Sequence, residues 1–162
     1  MASSIQKIRS LKETQHLRQQ LKQEQKQVVF TNGCFDILHP GHTRYLSSAR
    51  DLGDFLMVAV NSDRSIAQIK GPKRPIVSQQ IRAEVLATLA CVDGVFIFDQ
   101  ADPLQVIQYL LPDILVKGGD WAEGDIIGAD VVKENGGKVV RIPFVAGFST
   151  TQLIQSILKR YG

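Results

Sequence analysis

The chain has 162 residues, 44% of them hydrophobic, and a formal net charge of +3. That length suits one domain with a full core, and the mean hydropathy near zero describes a globular protein. No apolar run reaches the ~20 residues of a membrane helix, and Met1 to Lys7 lacks the apolar core of a secretion signal. Two cysteines without metal-knuckle spacing, Cys34 and Cys91, point to a reducing cytoplasm. The modest positive charge suits a small anionic substrate, and no long basic run argues for nucleic acid.

In chain order, residues 4–26 are polar, with Ile5, Ile8, Leu11, Leu17 and Leu21 at partly helical spacing. They predict one amphipathic helix packed on the flank of a domain spanning 27–162. Gln27 to Phe30 reads as a buried strand and Thr43 to Arg50 as a helix. Between them lies Thr31-Asn-Gly-Cys-Phe-Asp-Ile-Leu-His-Pro-Gly-His42. Gly33 permits a sharp turn, and Pro40 suits a helix entry, where its missing N–H costs nothing. The free N–H groups and positive dipole end of that helix make an anion site. His39 and His42 share one face of the turn, and Gly41 leaves room for a phosphate.

Phe55 to Val60 is continuously apolar, as a parallel strand buried on both faces requires. Asn61, Ser62 and Asp63 follow it, then a short helix to Ile69. Lys70-Gly-Pro-Lys-Arg-Pro75 is a stiff basic loop, either a solvated turn or one that closes over phosphates and is ordered by them. Ser78 is placed to cap a helix from Gln79 to Ala90, with Ile81, Val85, Leu86 and Leu89 as its apolar face. Further strands are expected at Gly94 to Phe98, Asp113 to Lys117 and Lys138 to Ile142. Helices fall between them: one capped by Asp102 and running to Leu111, another from about Ile126 to Glu134. Ser149 caps the last, Thr150 to Lys159. Strands alternating with helices predict an α/β fold, a Rossmann-like five-stranded parallel sheet flanked by helices. Such sheets bind ligands at the carboxyl ends of their strands. Asn32 to His42, Asn61 to Asp63, Lys117 to Trp121 and Phe148 to Thr151 all follow strand ends, so they converge on one rim.

The run Asn32-Gly-Cys-Phe-Asp36, continued by Leu38-His-Pro-Gly-His42, resembles the signature of the cytidylyltransferase-like nucleotidyltransferases. Lys117-Gly-Gly-Asp-Trp121 and Gly147-Phe-Ser-Thr-Thr151 resemble the branch that makes ADP-heptose from heptose 1-phosphate. The resemblance runs from Val28 to Tyr161. It implies transfer of a nucleoside monophosphate from a triphosphate to a phosphorylated substrate, with release of pyrophosphate. It assigns catalysis to His39, His42 and Lys70. It assigns nucleotide contacts to Asn32, Gly33, Cys34, Phe35, Gly41, His42, Arg82, Lys117, Gly118, Phe148, Ser149, Thr150 and Thr151. Substrate contacts fall to Asp36, Asn61, Asp63, Lys70, Arg74, Asp120 and Trp121. Each assignment has a plainer competitor: Arg82 as a surface arginine, Ser149 as a helix cap only, Trp121 as a core residue at a bulged turn. Asp36 is expected to hold its loop rather than act as a base, because the incoming phosphate is already ionised.

The partners implied are ATP with Mg²⁺ carried on its oxygens, and a sugar phosphate. No protein metal site is expected, nor nucleic acid or membrane contact. A homo-oligomer and a separate sugar kinase in the same pathway belong to this picture. Related glycerol-phosphate cytidylyltransferases carry Arg-Thr-Glu where this chain has Phe144-Val-Ala146, which favours ATP over CTP. The alternatives are a nucleotidyltransferase for another phosphate or phosphonate, such as glycerol 3-phosphate, and a nucleotide-binding module without catalysis.

Overall fold

A computed structural model describes residues 4–119, 125–143 and 147–162. Five parallel strands form one sheet: β1 (Val28–Gly33), β2 (Phe55–Asn61), β3 (Gly94–Phe98), β4 (Ile114–Gly118) and β5 (Lys138–Ile142). Their order is β3-β2-β1-β4-β5. The chain therefore reverses direction across the sheet between β1 and β4. At that point the crossovers diverge and open a crevice.

The helices are α1 (Leu11–Gln23), α2 (Pro40–Arg50), α3 (Asp63–Lys70), α4 (Gln79–Thr88), α5 (Leu104–Leu110), α6 (Ala129–Glu134) and α7 (Thr150–Tyr161). Successive strand residues feed opposite faces. Val28 and Phe30 join Leu21, Val106, Ile107 and Val132 in one core. Val29 joins Leu46, Ala49, Leu86 and Val116 in the other. Each such side chain contributes about 1.5–3 kcal/mol when fully buried. β1 and β2 pair along their whole length, from Val28 opposite Phe55 to Gly33 opposite Val60.

Three expectations from the sequence change here. The expected single helix over 4–26 is broken. Ser4–Lys7 is a short 3-10 turn, Ile8 bridges to Val95 beside β3, and α1 starts only at Leu11. The cause is a reciprocal cap: Ser10 accepts from the Glu13 amide, and Glu13 accepts from the Ser10 amide at 2.8 Å. α1 then buries Arg18, which donates to Leu111 O at 2.9 Å and pairs with Asp113 at 2.9 Å.

α4 is rotated from the face its apolar residues suggest. Ile81 and Val85 are 54% and 41% exposed, while Arg82, Ala83, Leu86 and Ala87 are buried. Hydrogen bonds satisfied by Arg82 outweigh the apolar stripe in setting the helix's orientation. Ser78 occupies the N-cap position of α4 without a side-chain cap bond. The helix expected from about Ile126 begins at Ala129, after Gly128 in a left-handed conformation (φ 84°). Ile107 methyls lie 2.6 Å from where a Cβ on Gly128 would stand, so close packing also demands glycine there.

Candidate active site

The β1–α2 connection carries the densest constellation. His39 is the extended N-cap residue of α2, makes no side-chain cap bond, and is followed by Pro40 at the first helical position. The N-cap side chain therefore leaves the mouth of α2 uncapped. The His39 and His42 rings stack with centroids 3.8 Å apart. A Cβ on Gly41 would stand 2.9 Å from the His39 ring, so glycine is what lets that ring lie across the turn. Phe35 packs edge-on against His42 at 5.4 Å, and Phe148 lies face-on to His39 at 6.3 Å. Arg44 approaches the Phe148 ring at 5.8 Å.

The Nδ1 atoms of both histidines are buried and have no hydrogen-bond partner among the described residues. Burial pulls the pKa of His42 down to about 4, with the neighbouring His39 adding to the effect. Burial lowers His39 as well. The pair thus stands neutral at pH 7, ready to donate hydrogen bonds to an anion.

At the β1–β4 switch point, Lys117 Nζ donates to Asn32 Oδ1 at 2.5 Å. Burial lowers the Lys117 ammonium to about 8, so near neutral pH it remains a cation at the sheet edge. Cys34 lies within the field of Lys117, Lys70, Arg74 and Arg82. Burial nevertheless raises its thiol above the usual value, which keeps it protonated and poorly nucleophilic. The positive groups named from sequence therefore gather around one turn of chain.

Several named residues take other partners. Arg82 is not a surface arginine: its side chain is 0% exposed. It donates to Val77 O, Cys34 O, Asn61 O and the Asp63 carboxylate at 2.6–2.9 Å, leaving no exposed surface for a nucleotide. Asp36 is equally closed, with its carboxylate 0% exposed. It accepts from the Ile76 and Val77 amides and from Arg74 Nε at 2.6–2.9 Å. Burial opposes the charge of Asp36, but these donors outweigh it and hold the carboxyl below the usual range. This is the loop-holding role expected of Asp36, and Arg74 Nε is engaged as its partner. Asn61 is buried and donates to Ser65 Oγ at 3.0 Å.

Lys70 falls on the last residue of α3 rather than in a loop, because Gly71 at φ 93° ends that helix. Ser149 caps α7 by accepting from the Gln152 amide at 3.1 Å, and follows Phe148 at the site. Asp120, Trp121 and Phe144 to Ala146 lie outside the described residues.

Tyr45 is a supporting residue that sequence reasoning did not single out. Its hydroxyl is 2.6 Å from Thr31 Oγ1 and donates to Val116 O at 3.2 Å, bolting α2 to β1 and β4. Burial pushes the Tyr45 hydroxyl up to about 12. The available signal was a threonine inside a buried strand, whose hydroxyl needs a partner.

Histidines at an uncapped helix mouth and cations at the switch point thus share one crevice of an α/β nucleotidyltransferase-like fold. The chain matches the cytidylyltransferase-like family over residues 30–156 and belongs to it. It is a nucleotidyltransferase.

Among its relatives is the "Bifunctional protein HldE" of Syntrophotalea carbinolica, 54% identical over 136 residues, or 84% of this chain and 28% of that protein. The protein of the same name from Geobacter sulfurreducens is 51% identical over 141 residues, or 87% of this chain and 29% of that one. The chain thus spans under a third of these relatives' length. A solved lipopolysaccharide core biosynthesis protein from Thermoplasma volcanium superposes with a TM-score of 0.59 at 30% identity, covering 74% of this chain and 97% of that one. A Francisella tularensis pantoate-β-alanine ligase shares the fold at 16% identity, with a TM-score of 0.63 over 92% of this chain and 76% of that chain.

Among the described residues, no helix is long and apolar enough to cross a membrane, and no three His, Cys, Asp or Glu side chains cluster as a metal cage.

Proposed function

We propose that this chain transfers AMP from MgATP to D-glycero-β-D-manno-heptose 1-phosphate, giving ADP-heptose and pyrophosphate, a reaction that serves lipopolysaccharide core synthesis. The observation that carries the reading is the stacked, neutral His39–His42 pair at the mouth of α2. The resemblance of Lys117 to Trp121 and Gly147 to Thr151 to the ADP-heptose-forming branch supports the choice of sugar.

In this reading the sugar phosphate oxygen attacks the α-phosphorus of ATP and the bond to the β-phosphate oxygen breaks. The attacking phosphate is already ionised, so no protein base takes a proton. His39, His42, Lys70 and the mouth of α7 donate to the triphosphate, and their contacts tighten as charge moves onto the departing pyrophosphate. Lys117 supplies positive charge beside the β1–α2 loop. Magnesium arrives with the nucleotide and is held by phosphate oxygens. The substrate's own phosphate is installed by a kinase, on this polypeptide or another.

The test is a pyrophosphate-release assay with ATP and CTP crossed against heptose, hexose and glycerol phosphates. The highest kcat/KM is expected for ATP with heptose 1-phosphate. A higher value for CTP, or for glycerol 3-phosphate, would overturn the assignment.

A further inference from the structure

Two buried ions of opposite charge tie together the same two pieces of chain from opposite directions. Asp36, in the β1–α2 loop, reaches across to the Ile76 and Val77 amides and to Arg74. Arg82, on α4, reaches back to Cys34 O in the β1–α2 loop, to Val77 O, and to Asn61 O and Asp63 at the end of β2. The two side chains do not pair with each other. Asp36 is paired with Arg74 of the 74–77 segment, and Arg82 with Asp63 at the start of α3. The side chains of Asp36 and Arg82 are both 0% exposed. Breaking either set would strand a buried charge or several buried carbonyls, which costs far more than losing one surface contact.

The connection from α3 to α4 is consequently not a free span between two anchors. Its downstream half, Arg74 to Val77, is fastened to the loop that carries the histidines. Its upstream half, Gly71 to Lys73, has one backbone bond to that half, from the Arg74 amide to Gly71 O at 3.1 Å. A Cβ on Gly71 would meet nothing within 4 Å.

We propose that Asp36 and Arg82 act as a two-way clamp that registers the 74–77 segment against the Cys34–Asp36 loop and so sets where Lys70 and Lys73 stand relative to the His39–His42 pair. Both are positioning residues for phosphate charge, not ligand contacts. The catalytic consequence rests on the nucleotidyl-transfer reading above; the mechanical one does not.

Hydrogen exchange of the ligand-free full chain tests the mechanics. Arg82→Lys keeps the charge but cannot span four acceptors. Asp36→Asn keeps the shape but loses the charge that holds Arg74 and the two amides. Each is expected to raise exchange at Ile76 and Val77 by about 10-fold or more, with β1 and β4 amides unchanged, because the opening is local. Kinetically, kcat should fall about 10-fold while the KM for ATP moves less than about 3-fold, the pattern of a misplaced but uncontacted group.

Unchanged exchange at Ile76 and Val77 in both variants would overturn the clamp. So would a rise spread evenly over the sheet, or an effect confined to the KM for ATP. If the buried substitutions prevent folding, Arg74→Ala removes the partly exposed partner of Asp36 and must still raise exchange at Ile76 and Val77. Local exchange that rises as expected, in a protein that transfers no nucleotide to any sugar phosphate, would sink the proposed reaction and leave the clamp standing.

Discussion

Two helix mouths open on the crevice, and they are built differently. α2 is entered through an extended His39 and α7 through an extended Ser149. Behind its mouth α2 is locked: Leu46 and Ala49 are fully buried, and Tyr45 bolts the second turn to β1 and β4. α7 has no buried residue, and Ile157, Leu158 and Tyr161 are 54%, 63% and 86% exposed. Ser149 spends its hydroxyl on its own helix, whereas His39 makes no side-chain cap bond. A helix held by packing needs no local cap, so its mouth is left open to a ligand. A helix with little packing must satisfy its own amides and has less left to offer. In the proposed reaction α2 would be the preorganised half of the phosphate site, and α7 the adjustable half.

The largest effects should fall on α2. Leu46→Ala removes a fully buried side chain between α2 and the sheet. Denaturant unfolding should show a loss of about 2–5 kcal/mol. A loss under about 1 kcal/mol would mean that α2 is no better seated than α7.

Next comes the chemistry of the α2 mouth. His42→Ala should lower kcat by at least ~100-fold, the usual result of losing one preorganised donor to developing charge. Single-turnover rates on folded protein check this; wild-type turnover would remove His42 from the reaction.

The same histidine makes a pH test. The folded protein holds His42 at about 4, against an ordinary value of 6.5, through burial and the nearby His39. The unfolded chain therefore binds more protons between those values. Stability should be level above pH 6.5, fall as the pH drops towards 4, and level off again for this group below that. His42→Gln should flatten the slope in that window. An unchanged slope would place the titration elsewhere.

Smaller effects are expected on α7. Ser149→Ala should cost about 1 kcal/mol of helix stability, read as faster exchange in the first turn of α7 with β1 unaffected. Leu158→Ala, at a 63% exposed position, should change global stability by less than about 0.5 kcal/mol. A larger loss at Leu158 would show that α7 is covered in solution and would erase the contrast with α2.

Period and punctuation in the sequence were enough to place five strands and the helices between them. Continuous apolar runs such as Phe55 to Val60 admit one reading when glycines and helix signals bound them. The convergence of Asn32 to His42, Lys117 and Phe148 to Thr151 on one rim also followed, because a parallel sheet puts every strand's carboxyl end on the same edge. The Ser149 cap was legible too, since a cap bond spans only a few residues.

What depended on distant partners was not legible. The apolar residues of α4 predicted its buried face only in part: Leu86 is buried and Leu89 packs on the core, but Arg82, held by four acceptors from three other segments, lies inward while Ile81 and Val85 face out. The Ser10–Glu13 cap that starts α1 is a local signal, but the pairing of Ile8 with Val95 that draws the preceding residues to the sheet lies far outside any local window. Tyr45 and Thr31 gained their roles only once β4 was laid beside β1. Local chemistry in the sequence singled out the candidate residues. The tertiary structure alone decided that Asp36 and Arg82 are buried and hold other segments of the chain in place. A buried charge goes where its partners are, and those partners come from segments that only the folded sheet brings together.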